Sequence, residues 1–208
     1  MNPAKELENV AQEVAQCTKC DLQYSRKNAV PGEGPSDAEL MFIGEGPGFH
    51  ENEQGRPFVG AAGRFLDELL TSINLKRSDV FITNVVKCRP PGNRDPQTEE
   101  LAACSNYLDR QIHALNPKVI VTLGRFSMAR FLPNAKISSV HGQGMRIRGR
   151  LVVAMYHPAA ALHQHSLKKT IEADFSRLPV IIDQAGQMPE YQEPQNEDKT
   201  EPKQLSMF

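Results

Sequence analysis

At 208 residues the chain is long enough for one domain with its own core, and no apolar run in it reaches the length of a bilayer span. Hydrophobic residues make up only 39%, low for a chain that packs throughout, so part of it is expected to stay outside the core. The formal charge of −1 hides an asymmetry: residues 183–208 hold six acids against two lysines, a net of −4, which leaves residues 1–182 at +3, a balance that suits a polyanionic partner.

Asn2-Pro3 reads as an N-cap followed by proline at the first helical position, and Leu7, Val10, Ala11 and Val14 share one helical face. This stretch is charged and lacks the apolar centre of a secretion signal, so the expected location is the cytoplasm, with no membrane partner. The helix leads to Cys17 and Cys20, and Pro31 to Pro35 marks a loop. Leu40 to Ile43 is a short apolar run ending at Gly44, the pattern of a buried strand. Phe65, Leu66, Leu69, Leu70 and Ile73 form a helical stripe, and Val80 to Val86 is a β-branched strand. Leu101, Leu108, Ile112 and Leu115 fit a helix, Val119 to Leu123 a third strand, Leu151 to Met155 a fourth, and Leu167, Ile171, Phe175 and Leu178 a closing helix. Strands alternating with helices predict a three-layer α/β/α sandwich around a central, mainly parallel four-stranded sheet, occupying residues 1–182. Residues 183–208 are polar almost throughout and are expected to be disordered.

In such a sheet, ligands bind beyond the carboxyl ends of the strands. That rule selects Gly44–Gly48, Asn84–Arg89, Gly124–Arg125 and His157-Pro158. Gly44-Glu45-Gly46-Pro47-Gly48 alone is an ordinary tight turn, with neither a Walker nor a dinucleotide spacing. Its neighbours change the balance. Glu51 follows in the same loop, Phe58 stands before a helix, Asn84 ends the second strand and His157 follows the fourth. Singly, each is more often structural. Together they place a carboxylate, an aromatic plate, an amide and an imidazole at one sheet edge. Extracting and cleaving a nucleobase needs that set: the amide reads the base edge, the ring stacks, and the imidazole stabilises charge on the departing base.

The four cysteines follow C-x2-C, then 67 residues, then C-x15-C. Cys17, Cys20 and Cys88 lie in polar surroundings, which disfavours four unrelated core thiols, and a reducing compartment disfavours disulfides. Four thiolates suit zinc or an iron–sulfur cluster. Structural zinc sites usually pair two short hooks. Only one is present, so the spacing leans toward iron–sulfur and leaves zinc open.

Gly44–Gly48, Gly55–Gly60, Thr83–Pro91 and His157-Pro158, together with the cysteine spacings, resemble the family 4 uracil-DNA glycosylases from about Cys17 to about Leu178. The resemblance implies one [4Fe-4S] cluster on Cys17, Cys20, Cys88 and Cys104, and hydrolysis of the N-glycosidic bond of deoxyuridine in single- or double-stranded DNA. It implies that Phe58 stacks on the flipped uracil, that Asn84 bonds its Watson–Crick edge, and that His157 donates to a uracil carbonyl. Glu45, Gly46 and Gly48 would line the pocket. Better-known uracil-DNA glycosylases carry an aspartate where this chain has Gly46, so the water-activating role passes to Glu51, with Glu45 second. Leu162, in the segment after His157, corresponds to the residue that fills the gap left by the flipped base. Arg89, Arg94, Lys168 and Lys169 are candidate phosphate contacts. The alternatives are a non-catalytic binding module and a glycosylase for other damaged bases.

Gln204-Leu205-Ser206-Met207-Phe208 resembles the short peptide by which bacterial repair and replication proteins grip the DNA sliding clamp, with Gln204, Leu205, Met207 and Phe208 as anchors. Residues 183–203 would tether it with a root-mean-square reach of roughly 25 Å. The enzyme is expected to act as a monomer.

Overall fold

The structure, a computed structural model, describes residues 2–192. The chain opens with α1 (Pro3–Ala15) and the single turn α2 (Leu22–Ser25), then forms β1 (Leu40–Gly44), α3 (Phe49–Gln54), α4 (Ala61–Ser72), β2 (Phe81–Asn84), α5 (Thr98–Leu115) and β3 (Val119–Leu123). After α6 (Arg125–Ala129) and α7 (Ile137–Val140) come β4 (Gln143–Ile147), β5 (Arg150–Met155), α8 (Pro158–His163) and α9 (Ser166–Asp183). Asn2 caps α1 as expected, its side-chain oxygen accepting from the Lys5 amide.

The sheet has order β2-β1-β3-β5-β4, with parallel pairing except for the β4–β5 edge. Alternate residues of the parallel strands feed two cores, so both faces are buried and the strands read as continuous apolar runs. Phe42, Ile82, Val121 and Val153 pack with Leu66 and Leu69 of α4 and Phe175 of α9. Met41, Ile43, Ile120 and Val152 pack with Leu108 and Leu115 of α5. The three-layer architecture therefore stands.

Two expectations change. The sheet has five strands among the described residues, not four. The extra one, β4, is mostly half-buried and carries no apolar run to announce it. It is made by a two-residue hairpin at Arg148-Gly149, both at positive φ (52° and 76°), the type I′ geometry that suits strand twist. The second change is the domain limit. α9 continues to Asp183, and the segment beyond returns to the β4 edge, where the Tyr191 amide donates to Arg146 O (2.7 Å) and Gly149 N–H donates to Glu190 (3.1 Å). Ile181, Ile182, Ala185, Met188 and Tyr191 give this stretch apolar surface to bury. Residues 204–208 lie outside the described residues.

Candidate active site

β1 and β2 run parallel, and their last residues, Gly44 and Asn84, are direct partners in the register. A Cβ on Gly44 would lie 2.4 Å from Asn84 Oδ1 and 2.6 Å from Phe58 Cζ. Glycine at this strand end is what lets the amide and the ring close on each other. Asn84 is 1% exposed, and its Oδ1 has no hydrogen-bond partner. A buried amide oxygen without a partner costs on the order of 1–3 kcal/mol. Its natural use is to receive a donor from a ligand.

Phe58 is held in a strained backbone, with φ at 51°. Arg77 restrains it: one guanidinium nitrogen donates to Phe58 O (3.0 Å) and another to Pro57 O. Glu33 (2.6 Å) and Asp67 (3.2 Å) in turn hold Arg77. Gly63 leaves space for the bend, since a Cβ there would sit 1.9 Å from Phe58 O. The Phe58 ring stacks on His157 at 5.4 Å, with 24° between the planes.

His157 caps α8, its Nδ1 accepting from the Ala159 amide at 3.1 Å. Nδ1 is thus the acceptor, and the proton of the neutral ring belongs on Nε2. Burial pushes the imidazole down to about 4, against a smaller upward pull from Glu51. Near neutral pH it is an uncharged Nε2–H donor.

The two carboxylates differ in what already binds them. Glu51 Oε1 accepts from the amides of Val59 (2.8 Å) and Gly60 (2.9 Å), and Oε2 accepts from Gly48 (3.1 Å). One side chain therefore ties the glycine loop to the N-terminus of α4, and the Gly48 N–H points at Glu51 rather than at a ligand. Glu45 has no such clamp. Burial and the nearby Asp95 carboxylate raise its pKa, while Arg125 lowers it. Both carboxylates join Gly46, Gly48, Phe58, Asn84 and His157 in the wall of one cleft of about 450 Å³. Gly46 is required there, because a Cβ would meet Val86 Cγ2 at 2.8 Å.

The four cysteines line a second, small cavity, with Cys88 and Cys104 buried and Cys17 and Cys20 half-buried. Among the described residues no three His, Cys, Asp or Glu side chains gather tightly enough to hold a single ion. Burial raises the pKa of the Cys20 and Cys88 thiols and pushes Cys104 up to about 11, and the thiols repel one another's charge. One guanidinium faces them. The Arg26 guanidinium lies 3.7 Å from Cys88 Sγ and donates to Cys17 O (2.6 Å). Lys87 is fully buried, which pushes its amine down to about 7, and it donates to Thr83 Oγ1 (2.6 Å), Gln111 Oε1 (2.7 Å) and Asn84 O (2.8 Å), which joins the cysteine region to β2.

Residues 31–176 match the model of the uracil DNA glycosylase superfamily. The chain belongs to this superfamily. It is 48% identical over 184 residues to the type-4 uracil-DNA glycosylase of Sulfurisphaera tokodaii, covering 83% of each chain. Its identity to the type-4 uracil-DNA glycosylase of Archaeoglobus fulgidus is 45%, over 83% of this chain and 91% of the relative. A type-5 uracil-DNA glycosylase of Pyrobaculum aerophilum is 32% identical over 69% of this chain and 70% of its own.

In this member of the superfamily Leu162 is 47% exposed on α8 and precedes the wall residue His163, without being a wall residue itself. Arg89 precedes the wall residue Pro90, and its Nε donates to Asn93, another wall residue (2.7 Å). Arg94 lines the cleft, but its guanidinium is engaged by Glu100 at 2.6 and 2.9 Å. Lys168 and Lys169 are exposed on α9 and are not wall residues. Reading the sequence missed Arg77, Lys87 and Arg26, which act on the site through backbone carbonyls. A lone basic residue gives no linear signal for that. Among the described residues no helix is long and apolar enough to cross a membrane.

Proposed function

We propose that the chain extrudes deoxyuridine from DNA and hydrolyses its N-glycosidic bond, releasing uracil and leaving an abasic site for base excision repair. The observation that carries this is the buried Asn84 amide, its Oδ1 free, in a slot formed with Phe58 and His157. Uracil offers a donor at N3 and an acceptor at O4, which match an amide oxygen and an amide NH2. Cytosine offers the reverse. Phe58 stacks on the base. The neutral His157 Nε2–H donates to a uracil carbonyl as the C1′–N1 bond stretches and its electron pair moves onto the base. The sugar becomes oxocarbenium-like, and water adds at C1′ as its proton passes to a carboxylate. The geometry favours Glu45 for that task, because backbone amides already take three of the roughly four acceptor positions of Glu51 and none of Glu45's. Glu51 then acts by holding the loop. The type-4 relatives, uracil-DNA glycosylases by name, support the same substrate. Incubation with single- and double-stranded uracil-containing DNA followed by alkaline cleavage tests it: strand breaks at uracil are expected, and their absence would overturn the reading.

The same proposal assigns one [4Fe-4S] cluster to Cys17, Cys20, Cys88 and Cys104. Four thiols lining one cavity, two of them buried, with the Arg26 guanidinium beside Cys88, suit an anionic cluster. Bound there, it would cross-link the segment after α1, the β2 loop and α5, bracing the pocket rather than doing chemistry. Leu162 fills the gap left by the flipped base, and Arg89 contacts phosphate. The proposal also has a monomer working in the cytoplasm on the nucleoid, with residues 204–208 gripping the sliding clamp. Deleting those five residues should abolish clamp capture while cleavage of short oligonucleotides persists.

A further inference from the structure

Four large hydrophobic side chains stand exposed among the described residues: Tyr24, Phe49, Leu162 and Val180. Leu162 has a role in the proposal above. Phe49 does not, yet it adjoins the wall of the same cleft. It is the first residue of α3 and follows Gly48, a wall residue, directly. It is 52% exposed.

The ring is also held in place. The Arg89 guanidinium lies over it, 5.3 Å from the centroid, and His50 meets it edge-on at 5.4 Å. Arg89 is fixed in turn by Asn93, itself a wall residue, at 2.7 Å. A preset aromatic ring with a cation over it, one residue from the cleft wall, has the makeup of a nucleobase stacking platform: the ring offers a π-face and the guanidinium a phosphate contact. Continuity with the cleft and the positive charge of Arg89 commit the occupant to the DNA strand that carries the uracil.

We propose that Phe49, backed by Arg89, stacks on the nucleobase adjacent to the extruded deoxyuridine on the same strand. This rests on the uracil-excision reading and extends it, since it gives the enzyme a grip on single-stranded DNA that needs no complementary strand. The test uses the full-length protein and single-stranded oligonucleotides containing one uracil. In one set the bases on either side are intact; in two others the 5′ or the 3′ neighbour is replaced by an abasic tetrahydrofuran. Binding and single-turnover cleavage are measured for wild type, Phe49→Ala, Phe49→Leu and Phe49→Trp. With intact neighbours, Phe49→Ala should bind about tenfold more weakly, Phe49→Leu nearly so, and Phe49→Trp should match or exceed wild type. With one of the two neighbours removed, the gap between wild type and Phe49→Ala should close. A penalty of equal size on all three oligonucleotides, or none on any, would overturn the stacking role. Failure of wild type itself to cleave any of them would overturn the uracil reading and this inference with it, and a silent wild type tells that case apart from the others.

Discussion

Replacing Glu51 by glutamine separates two roles that a carboxylate in this loop can have. The wild-type side chain accepts three backbone hydrogen bonds, at 2.8, 2.9 and 3.1 Å. A glutamine can keep the pair from Val59 and Gly60 on its oxygen, as weaker neutral bonds. Its NH2 then faces the Gly48 N–H, so a donor meets a donor. Bonds to a charged group are worth about 1.5–3 kcal/mol each, so losing one and weakening two should cost roughly 3 kcal/mol. For a domain of this size that lowers Tm by roughly 6–12 °C. Glu45→Gln is the contrast. Glu45 has no clamp to lose, and burial already disfavours its charge, so its Tm should move by less than about 2 °C. Its single-turnover cleavage should fall by about 10² to 10⁴, the range for losing a positioned acid–base group. Thermal melts and single-turnover cleavage under enzyme excess give both readouts. Glu51→Gln with an unchanged Tm and abolished cleavage would refute the clamp and return the water to Glu51. Full-rate cleavage by Glu45→Gln would refute the reassignment.

Three further outcomes follow from the geometry. The folded His157 imidazole stays neutral down to about pH 4, whereas the unfolded one takes a proton near 6.5, so stability should fall as pH drops through that window, by about 3 kcal/mol in all. Denaturant titration of wild type against His157→Gln should show a one-proton difference in slope between pH 6.5 and 4, and equal slopes there would refute the burial argument. Gly44→Ala forces a methyl against Asn84 and Phe58, at 2.4 and 2.6 Å. It should cost about 1–3 kcal/mol in stability and weaken uracil binding at least about tenfold, both read by melting and by inhibition with free uracil. Cys104→Ala should abolish any visible absorption of the anaerobically purified protein and lower its Tm. Retained absorption would take Cys104 out of the ligand set.

The alternating strand and helix pattern was legible because a parallel sheet covered on both faces makes each strand a continuous apolar run. Leu40–Gly44, Val119–Leu123 and Leu151–Met155 needed no tertiary information, and the strand-end rule then brought Gly44, Asn84 and His157 to one edge. β4 was invisible because an edge strand with one half-exposed face carries no such run, and its Arg148-Gly149 turn lacks the usual asparagine or aspartate. Residues 183–191 looked like tail because their few apolar side chains gain a place only when α9 delivers them to the β4 edge.

The sequence by itself determined which chemical groups stand at the carboxyl edge of the sheet, because strand ends and their order follow from local pattern. It also brought the four cysteines under suspicion as one site. Only the tertiary structure decided what those groups are free to do. Glu51 is bound by amides eight and nine residues further along the chain, and Glu45 is not. His157 is a neutral Nε2–H donor because α8 uses its Nδ1 and burial removes its charge. Phe58 keeps its strained pose through Arg77, which lies beyond α4. Hydrogen-bond occupancy and desolvation depend on neighbours that are distant in the chain and close in space, so no local pattern of residues can encode them.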